Sequence, residues 1–348
     1  MIKVLIVDDS PLMRKILGDI LREDKDIHIV GEAKNGKEAL YKIPLLKPDL
    51  ITLDIEMPIM DGITALEKIV KLYNLPVVMI SSLTMEGAAL TLDALDKGAV
   101  DFIQKPKNIF SMNKEQIKLE IIDKIKMAAK SKVNIEYRIK ALKPFKDYSR
   151  IVKDREGKFE YIVAIGTSTG GPRALQAVLP LFPENINASF VIVQHMPPKF
   201  TKSLADRLDT LSNIRVKEGE NGEVLQQGYC YIAPGDFHMK VVEKEGDYII
   251  ELNKEPAIKG LRPAVDVLME SVAKLRDLKK IGVIMTGMGS DGANGVTNLK
   301  KNNGYIIAQN QETSVVFGMP KAAIDTGYVD RVVPLSDIAY EVMKKMGV

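Results

Sequence analysis

The sequence lacks several features that mark particular classes of protein. Its 348 residues include a single cysteine, Cys230, so no internal disulfide can form, and we expect a reducing, cytoplasmic compartment. Cys230 lies in the apolar run at residues 229–233, which predicts a buried, unreactive strand position. No stretch reaches the roughly 18 uncharged apolar residues of a membrane span. Asp8 and Asp9 interrupt the apolar N-terminal stretch that a signal peptide requires. These absences predict a soluble protein without direct membrane insertion.

An excess of one charge is also lacking. The 49 lysines and arginines nearly balance the 46 acidic residues, which leaves a net charge of +3. A dedicated nucleic-acid binder would concentrate positive charge, so no nucleic-acid partner is expected. The lysine-rich stretch at residues 126–158 also contains acids, and we interpret it as a linker, with a short helix near residues 134–142, rather than as a basic arm for nucleic acid.

The hydrophobic pattern predicts two α/β domains joined by that linker. Residues 1–125 contain five short apolar runs separated by amphipathic stretches, and runs that are apolar on both faces indicate a parallel sheet covered by helices on both sides. The same alternation restarts near Tyr161 and includes a hairpin across Glu245, Gly246 and Asp247. We therefore predict two doubly wound parallel-sheet domains, residues 1–125 and 159–348, the second with an antiparallel hairpin.

Reactive side chains follow the strands of the first predicted domain. Asp8 and Asp9 end the first strand, Asp54 ends the third, Ser81 ends the fourth, and Lys105 follows the fifth. The carboxyl ends of parallel strands share one edge of a sheet. Three carboxylates there would repel one another unless a cation joined them, and oxygen ligands suit Mg²⁺. Asp54 could then attack a phosphoryl donor, with Lys105 and the metal neutralising charge and Ser81 hydrogen-bonding the acyl phosphate.

Residues 1 to about 125 resemble the two-component receiver domain. The shared motifs are the Asp-Asp pair at 8–9, Asp-Ile-Glu-Met-Pro-Ile-Met-Asp-Gly at 54–62, the serine at 81 and Lys-Pro at 105–106. The resemblance implies a flavodoxin-like fold and phosphorylation of Asp54 by a histidine kinase. It also implies Mg²⁺ binding by Asp9, Asp54 and the backbone carbonyl of Glu56, to which the strand-end placement adds Asp8. The resemblance places Phe102 at the aromatic switch position.

A candidate nucleophile follows the first strand of the second domain. The strand at 162–165 runs into Gly-Thr-Ser-Thr-Gly-Gly-Pro at 166–172, a G-x-S-x-G turn that can expose a reactive serine, Ser168. Such a turn more often binds phosphate or is only structural, but it lacks the ending of a nucleotide-binding P-loop. Pro172 suits the first turn of a helix whose N-terminal end would favour an oxyanion.

A serine nucleophile needs a base, and the chain has only three histidines. His28 lies within a strand of the first domain. His195 follows an apolar strand, whereas His238 starts one, so the strand-end rule favours His195 and leaves His238 second. Asp291 follows the apolar run at 281–285 and would orient the imidazole. The order Ser, His, Asp differs from the Ser, Asp, His order of α/β-hydrolases, which makes that superfamily a poor match.

Two other functions compete with hydrolysis. Residues 287–292 read Gly-Met-Gly-Ser-Asp-Gly, a G-x-G-x-x-G fingerprint of dinucleotide binding. Asp291 would place a negative charge beside the pyrophosphate, and the next strand ends in Gln309 and Asn310 with no acid for a ribose. A non-catalytic binding module controlled by the first domain is the other alternative, but residues 160–348 show no helix-turn-helix pattern or basic stripe.

The second domain, and with it the whole architecture, resembles the chemotaxis protein-glutamate methylesterases of the CheB family. The matching segments are Ala-Ile-Gly-Thr-Ser-Thr-Gly-Gly at 164–171, Gln-His-Met-Pro at 194–197, Ile-Ala-Pro-Gly-Asp-Phe-His-Met at 232–239, Arg-Pro-Ala-Val-Asp at 262–266 and Met-Thr-Gly-Met-Gly-Ser-Asp-Gly at 285–292. The resemblance implies a Rossmann-like hydrolase sheet, with Ser168 as nucleophile, His195 as base and Asp291 as orienter. Met288 would supply a backbone oxyanion donor, supported by Thr169.

This resemblance also implies substrates and control. Glutamate γ-methyl esters on the cytoplasmic helices of chemoreceptors would be hydrolysed with release of methanol, and receptor glutamines would be deamidated. The esterase site would need no cofactor. The chemotaxis histidine kinase would supply the phosphoryl group, and phosphorylation would relieve inhibition of the esterase by the receiver.

Overall fold

The computed structural model of the chain describes residues 1–105, 114–131 and 159–348. These residues form two compact units, and each is described in turn. The short helix predicted near residues 134–142 and the proline of the Lys-Pro motif lie outside the described residues. Within the described parts of the chain, no helix is both long and apolar enough to cross a membrane.

The first unit is built on a five-stranded parallel sheet. Its strands are β1 (Ile2–Val7), β2 (Ile27–Ala33), β3 (Leu50–Asp54), β4 (Val77–Ser81) and β5 (Asp101–Gln104). Its helices are α1 (Pro11–Arg22), α2 (Gly36–Leu46), α3 (Gly62–Tyr73), α4 (Met85–Lys97) and α5 (Lys114–Lys130). The strand order is β2-β1-β3-β4-β5, which is the flavodoxin-like order and confirms the predicted fold class.

The helices of this unit begin where the sequence supplies a capping side chain. Ser10, Asn35, Asp61 and Thr84 have extended backbone, and each side chain accepts a hydrogen bond from the N–H group three residues later. Two of these caps follow the acidic motifs closely, Ser10 after the first strand and Asp61 after the third. Ser10 and Asp61 therefore mark where the loops after β1 and β3, which carry the candidate site, end and the next helices begin.

Helix α5 continues past the predicted domain boundary. The sequence reading ended the first domain at residue 125, but α5 continues to Lys130. Its buried side chains recur at the spacing of one helical face: Ile121, Ile122, Ile125 and Ala128. Lys126, whose charge suggested a linker, forms ion pairs with Asp24 and Asp26 of the same unit. Residues 126–130 therefore belong to this helix.

The second unit contains a seven-stranded parallel sheet and an antiparallel pair. Its strands are β6 (Tyr161–Thr167), β7 (Ala188–Gln194), β8 (Arg215–Glu218), β9 (Tyr229–Ile232), β10 (His238–Lys244), β11 (Asp247–Asn253), β12 (Lys279–Ile284), β13 (Tyr305–Gln309) and β14 (Arg331–Val333). Its helices are α6 (Gly171–Val178), α7 (Phe200–Leu211), α8 (Val265–Ala273), α9 (Ala293–Lys301), α10 (Met319–Asp325) and α11 (Ile338–Met346), with short 3₁₀ helices at Leu179–Leu181 and Leu335–Asp337. The order of the parallel sheet is β14-β13-β12-β6-β7-β9-β8.

The predicted hairpin and the buried cysteine are both confirmed in this unit. Strands β10 and β11 pair antiparallel and are joined by Glu245 and Gly246, whose φ angles of 55° and 85° are typical of a two-residue hairpin turn. Cys230 is fully buried in β9, and burial raises the pKa of its thiol. A thiol held in this protonated form is a poor nucleophile.

The centre of the second sheet is closed on both faces. Every residue of β6 and of β7 is buried, as expected for parallel strands covered by helices on both sides. The rings of Phe182 and Phe190 pack with their centroids 4.6 Å apart. Strands β12, β6 and β7 are direct neighbours, so the loops that follow them leave a rigid core at adjacent positions.

We expect Ile125→Ala to lower the free energy of unfolding of the first unit by about 2–5 kcal/mol, because it removes a fully buried side chain from α5. Leu119→Ala is the matched control. Leu119 lies on the same helix but is 61% exposed, so its loss should cost less than about 0.5 kcal/mol. Urea unfolding of the full chain, followed by far-UV circular dichroism, measures both. Equal losses would contradict the packing of α5.

Candidate functional sites

Three carboxylates meet in the first unit at the carboxyl ends of β1 and β3. Asp8 and Asp54 are buried and Asp9 is exposed, and one oxygen of each lies within 4.8 Å of those of the others. Asp8 Oδ2 and Asp54 Oδ1 are buried without a hydrogen-bond partner among the described residues. The strand order reverses between β1 and β3, which is where such sheets bind ligands. An all-oxygen donor set with unpartnered oxygens fits a hard cation such as Mg²⁺.

Lys105 reaches the same carboxylates from the end of β5. Its Nζ donates to Asp54 Oδ2 at 2.7 Å and lies 3.6 Å from Asp8 Oδ2. Burial raises the pKa of Asp54 to about 6; the hydrogen bond from Lys105 opposes this rise, and the charge of Asp8 adds to it. Burial lowers the pKa of Lys105, but the hydrogen bond and charge of Asp54 outweigh it, so that pKa is raised overall. The lysine therefore stays a cation beside Asp54.

The other predicted residues of this site occupy its margin. Ser81 lines a pocket with Asp54, Glu56 and Lys105, where Glu56 is exposed. The Ser81 hydroxyl is held by α4: Thr91 Oγ1 lies 2.7 Å from it, and it donates to Gly87 O at 3.2 Å. It would have to rotate to reach a group on Asp54.

Phe102, the predicted switch aromatic, is buried in β5. The Lys124 ammonium of α5 lies 5.3 Å from the centroid of its ring. The ring therefore packs inside the first unit, between its own strand and α5.

In the second unit, the three predicted catalytic residues follow neighbouring strands. Ser168 follows β6, His195 follows β7, and Asp291 lies between β12 and α9. The strand order reverses between β6 and β12. The N–H group of His195 donates to Thr167 O at 3.2 Å, which ties the two strand ends together.

His195 and Asp291 form a close buried pair. His195 Nε2 lies 2.7 Å from Asp291 Oδ2. Because a carboxylate only accepts, we assign the proton of the neutral ring to Nε2, which leaves Nδ1 as the acceptor. Burial raises the pKa of Asp291, but the hydrogen bond and charge of His195, with the N–H groups of Asp266 and Val265, lower it below its ordinary value overall. Asp291 is therefore a fixed anion beside the imidazole.

Ser168 is half-buried, and its hydroxyl makes no hydrogen bond to another described residue. Catalytic hydrogen bonds often form only when substrate binds, so an open serine–histidine contact is compatible with catalysis. The N–H group of Ser168 donates to Thr286 O at 3.0 Å and cannot also serve an oxyanion. The N–H group of Met288 has no acceptor among the described residues, which leaves it available for that purpose.

The sequence reading missed Gln194, which joins the two candidate catalytic residues. Its buried side chain accepts from Thr167 Oγ1 at 2.7 Å, and its Nε2 donates to the carbonyl oxygens of Ser168 and His195 at 3.0 and 3.2 Å. A Cβ on Gly171 would lie 1.9 Å from Gln194 Oε1, so the amide requires glycine in the turn. The sequence signal that could have found it is the Gln-His-Met-Pro segment at 194–197.

Thr286 is a second residue that the sequence reading missed. Its carbonyl oxygen accepts from Ser168 N–H, and its hydroxyl donates to the carbonyl oxygen of buried Thr169 at 2.9 Å. Thr286 N–H in turn donates to Gln309 Oε1 at 2.7 Å. The end of β12 therefore fixes the serine turn from the opposite side to Gln194.

His238 lies outside this constellation. It is fully buried at the start of β10, and its Nε2 lies 3.2 Å from Pro256 O. Its Nδ1 has no partner among the described residues. The second candidate base is therefore a core histidine.

The G-x-G-x-x-G segment does not form an empty anion site. Gly292 N–H and Gly295 N–H, at the start of α9, donate to Asp266 Oδ1 at 2.9 and 2.8 Å. A carboxylate therefore occupies the place that a pyrophosphate would need. Asp266, together with Asp291, therefore disfavours dinucleotide binding at this segment.

Comparison with known proteins gives consistent results for both units. The family model for CheB methylesterase matches residues 163–342, and that for the response regulator receiver domain matches residues 4–115. The protein-glutamate methylesterase/protein-glutamine glutaminase of Pyrococcus horikoshii is 49% identical over 347 residues, covering 99% of this chain and 93% of that protein. The protein of the same name from Bacillus subtilis is 45% identical over 345 residues, covering 97% of each.

A solved structure resembles the second unit. The crystal structure of the Thermotoga maritima CheB methylesterase catalytic domain is 47% identical, with a TM-score of 0.53, and covers 53% of this chain and 98% of that chain. With this likeness and with relatives of 49% and 45% identity along nearly its whole length, the chain belongs to the CheB methylesterase family and carries a response regulator receiver domain before its methylesterase domain.

Proposed function

We propose that this protein hydrolyses glutamate γ-methyl esters on the cytoplasmic helices of chemoreceptors and releases methanol. The observation that carries the proposal is the buried His195–Asp291 pair, 2.7 Å apart, at strand ends adjacent to Ser168. The names of the relatives supply the substrate class. Deamidation of receptor glutamines at the same serine is part of the proposal, since an ester and an amide give the same acyl-enzyme.

The proposed reaction begins when His195 Nδ1 takes the proton of the Ser168 hydroxyl as its Oγ attacks the γ-carbonyl carbon. Asp291 stabilises the imidazolium that forms. The N–H group of Met288 donates to the oxyanion, and Thr169 supports the serine turn through its carbonyl bond to Thr286. Methanol, or ammonia from a glutamine, leaves with the proton of His195, and a water molecule then releases the glutamate by the same steps.

The receiver domain is proposed to accept a phosphoryl group on Asp54 from the chemotaxis histidine kinase. Asp8, Asp9, Asp54 and the backbone carbonyl of Glu56 would hold Mg²⁺, which would neutralise part of the charge on the phosphoryl group. Lys105 supplies a second cation at Asp54 Oδ2, and Ser81 would turn from Gly87 O toward the phosphoryl oxygens. Phosphorylation is proposed to raise the esterase rate by relieving inhibition by the receiver domain.

Ser168→Ala should lower the rate of methanol release from methylated receptor membranes by roughly 10⁴- to 10⁶-fold, because it removes the proposed nucleophile. Ser189→Ala is the matched control, since this buried serine of β7 has a hydroxyl with no partner among the described residues. Its rate should equal that of the wild type. Persistent methanol release by Ser168→Ala would sink the assignment.

Asp54→Asn should abolish activation by a small phosphodonor and leave the basal esterase rate unchanged, because an amide cannot form an acyl phosphate. The wild-type rate should rise by roughly 5- to 150-fold, the usual range of coupling between two sites. Methanol release by the full chain, with and without phosphodonor, measures both. Activation of Asp54→Asn equal to that of the wild type would rule out Asp54 as the phosphoacceptor.

In metal-free buffer above pH 7, Asp54→Asn should raise the free energy of unfolding of the receiver domain by about 1–3 kcal/mol. The folded-state pKa of Asp54 is raised to about 6, so the ionised carboxylate destabilises the fold above that pH, and the gain should vanish as pH falls below about 4. Mg²⁺ should stabilise the wild type and not this variant.

Asp19→Asn serves as the control for this experiment, since Asp19 is exposed and, among the described residues, its ion pair is with Arg22. Thermal unfolding as a function of pH and Mg²⁺ is the measurement. A variant that unfolds more easily than the wild type in metal-free buffer would contradict the repulsion within the acidic cluster.

A further inference from the structure

Helices α8 and α9 both begin without a capping side chain of their own. Their N-cap residues are Ala264 and Gly292, and neither makes a side-chain cap hydrogen bond. The first N–H groups of a helix have no acceptor within the helix, and leaving them unsatisfied in a buried place is costly. Acceptors must therefore come from elsewhere in the fold.

Each helix receives its cap from an aspartate at the N-terminal end of the other helix. Asp291, which directly precedes Gly292, accepts from Val265 N–H and Asp266 N–H at 2.6 and 2.9 Å. Asp266 of α8 accepts from Gly292 N–H and Gly295 N–H at 2.9 and 2.8 Å, and from the Asn294 amide at 3.2 Å. We call this exchange the reciprocal cap.

The reciprocal cap holds Asp291 from two directions. The backbone N–H of Asp266 binds the Asp291 carboxylate, and the Asp266 carboxylate binds the peptide N–H that follows Asp291. Gly292 has a φ of 97°, and a Cβ there would lie 2.7 Å from Ile284 Cδ1, so the chain bends sharply just after Asp291. The bend points Gly292 N–H at Asp266.

The Asp266 carboxylate is retained at an electrostatic cost. It is 9% exposed, and burial, with the negative charge of Asp291 as a further contribution, raises its pKa despite the hydrogen bond from Gly295. An uncharged acceptor could satisfy the same N–H groups without placing a second buried anion beside Asp291. What the Asp291 loop requires is therefore the oxygen that both glycine N–H groups reach, rather than its charge.

We propose that Asp266 is a positioning residue of the esterase, whose carboxylate fixes the Asp291 loop and through it the orientation of His195. This inference rests on the proposed roles of Ser168, His195 and Asp291. The same oxygen, Asp291 Oδ2, accepts from both His195 Nε2 and Val265 N–H, so a displaced loop also displaces the imidazole. A misplacement of about 1 Å can cost about 10²-fold in rate.

Asp266→Ala removes the side-chain half of the reciprocal cap. We expect kcat to fall by roughly 10- to 100-fold with KM nearly unchanged, because the substrate still binds but the base is misplaced. Asp266→Asn keeps an oxygen for both glycine N–H groups and should restore kcat to within about fivefold of the wild type.

Asp209→Ala is the matched control within the methylesterase domain. Asp209 Oδ1 accepts from Val216 N–H at 2.7 Å, so the variant loses a similar carboxylate–backbone bond away from the serine turn. Its kcat should equal that of the wild type. A wild-type kcat for folded Asp266→Ala, or a loss shared equally by Asp209→Ala, would overturn the inference.

If Asp266→Ala does not fold, Asp266→Glu takes its place. This variant keeps the charge and moves the carboxylate by one methylene, so positioning predicts a lower kcat than for Asp266→Asn. Equal kcat values for Asp266→Glu and the wild type would exclude a positioning role.

A double-mutant cycle distinguishes positioning from simple capping. If Asp266 acts through Asp291, then adding Asp266→Ala to Asp291→Ala causes no further loss of kcat, whereas independent effects multiply. A multiplied loss would overturn the proposal.

The rate at which a fluorophosphonate labels Ser168 should follow the same pattern as kcat in full-length protein. If wild-type protein releases no methanol, the proposed substrate is wrong, yet the labelling rates still decide the role of Asp266. If methanol release depends on Ser168 but neither readout responds to Asp266→Ala, only the positioning role fails.

Discussion

Both sheets place their polar side chains at the point where the strand order reverses. In a parallel sheet the carboxyl ends of all strands lie at one edge. Where the strand order reverses, the loops that follow two neighbouring strands run to opposite faces of the sheet, and a crevice is left between them. In the receiver domain this crevice holds Asp8, which follows β1, and Asp54, the last residue of β3. In the methylesterase domain it lies between β6 and β12, beside Ser168 and the loop of Asp291. The buried strands behind each crevice keep these loops in place, so the chemistry depends on the packing of the sheets.

The two domains bury carboxylates in opposite electrostatic settings. Asp54 faces other carboxylates, and burial raises its pKa to about 6 even though Lys105 donates to it. Asp291 is also buried, but its oxygens accept from backbone N–H groups and lie beside His195, and its pKa is lowered overall. The first arrangement leaves oxygens without partners, which suits the binding of a cation. In the second arrangement both oxygens of Asp291 accept hydrogen bonds, which suits the fixed orientation of an imidazole.

The sequence predictions succeeded where the pattern was local. The strand-end positions of Ser168 and His195 were predicted correctly because each residue follows an apolar run, and such runs mark strand ends. The predicted boundary at residue 125 falls within α5, because Lys126 and Lys130 suggested a linker, whereas Ala128 between them lies on the buried face of the helix. The contacts of Gln194 were missed because its partner Thr167 is 27 residues away, and in the sequence it is an ordinary polar residue.

By itself, the sequence determined that the chain folds into two parallel sheets and which reactive residues stand at their edges, because apolar periodicity and strand-end placement are properties of short segments. Only the tertiary structure decided that Asp291 faces His195 Nε2, that His238 lies in the core, and that the Ser81 hydroxyl turns to α4. It also decided that Asp266 and Asp291 cap each other's helices. These outcomes depend on contacts between helices and strands that are distant in sequence. The packing of those elements decides which side chains are buried and which acceptor each donor reaches.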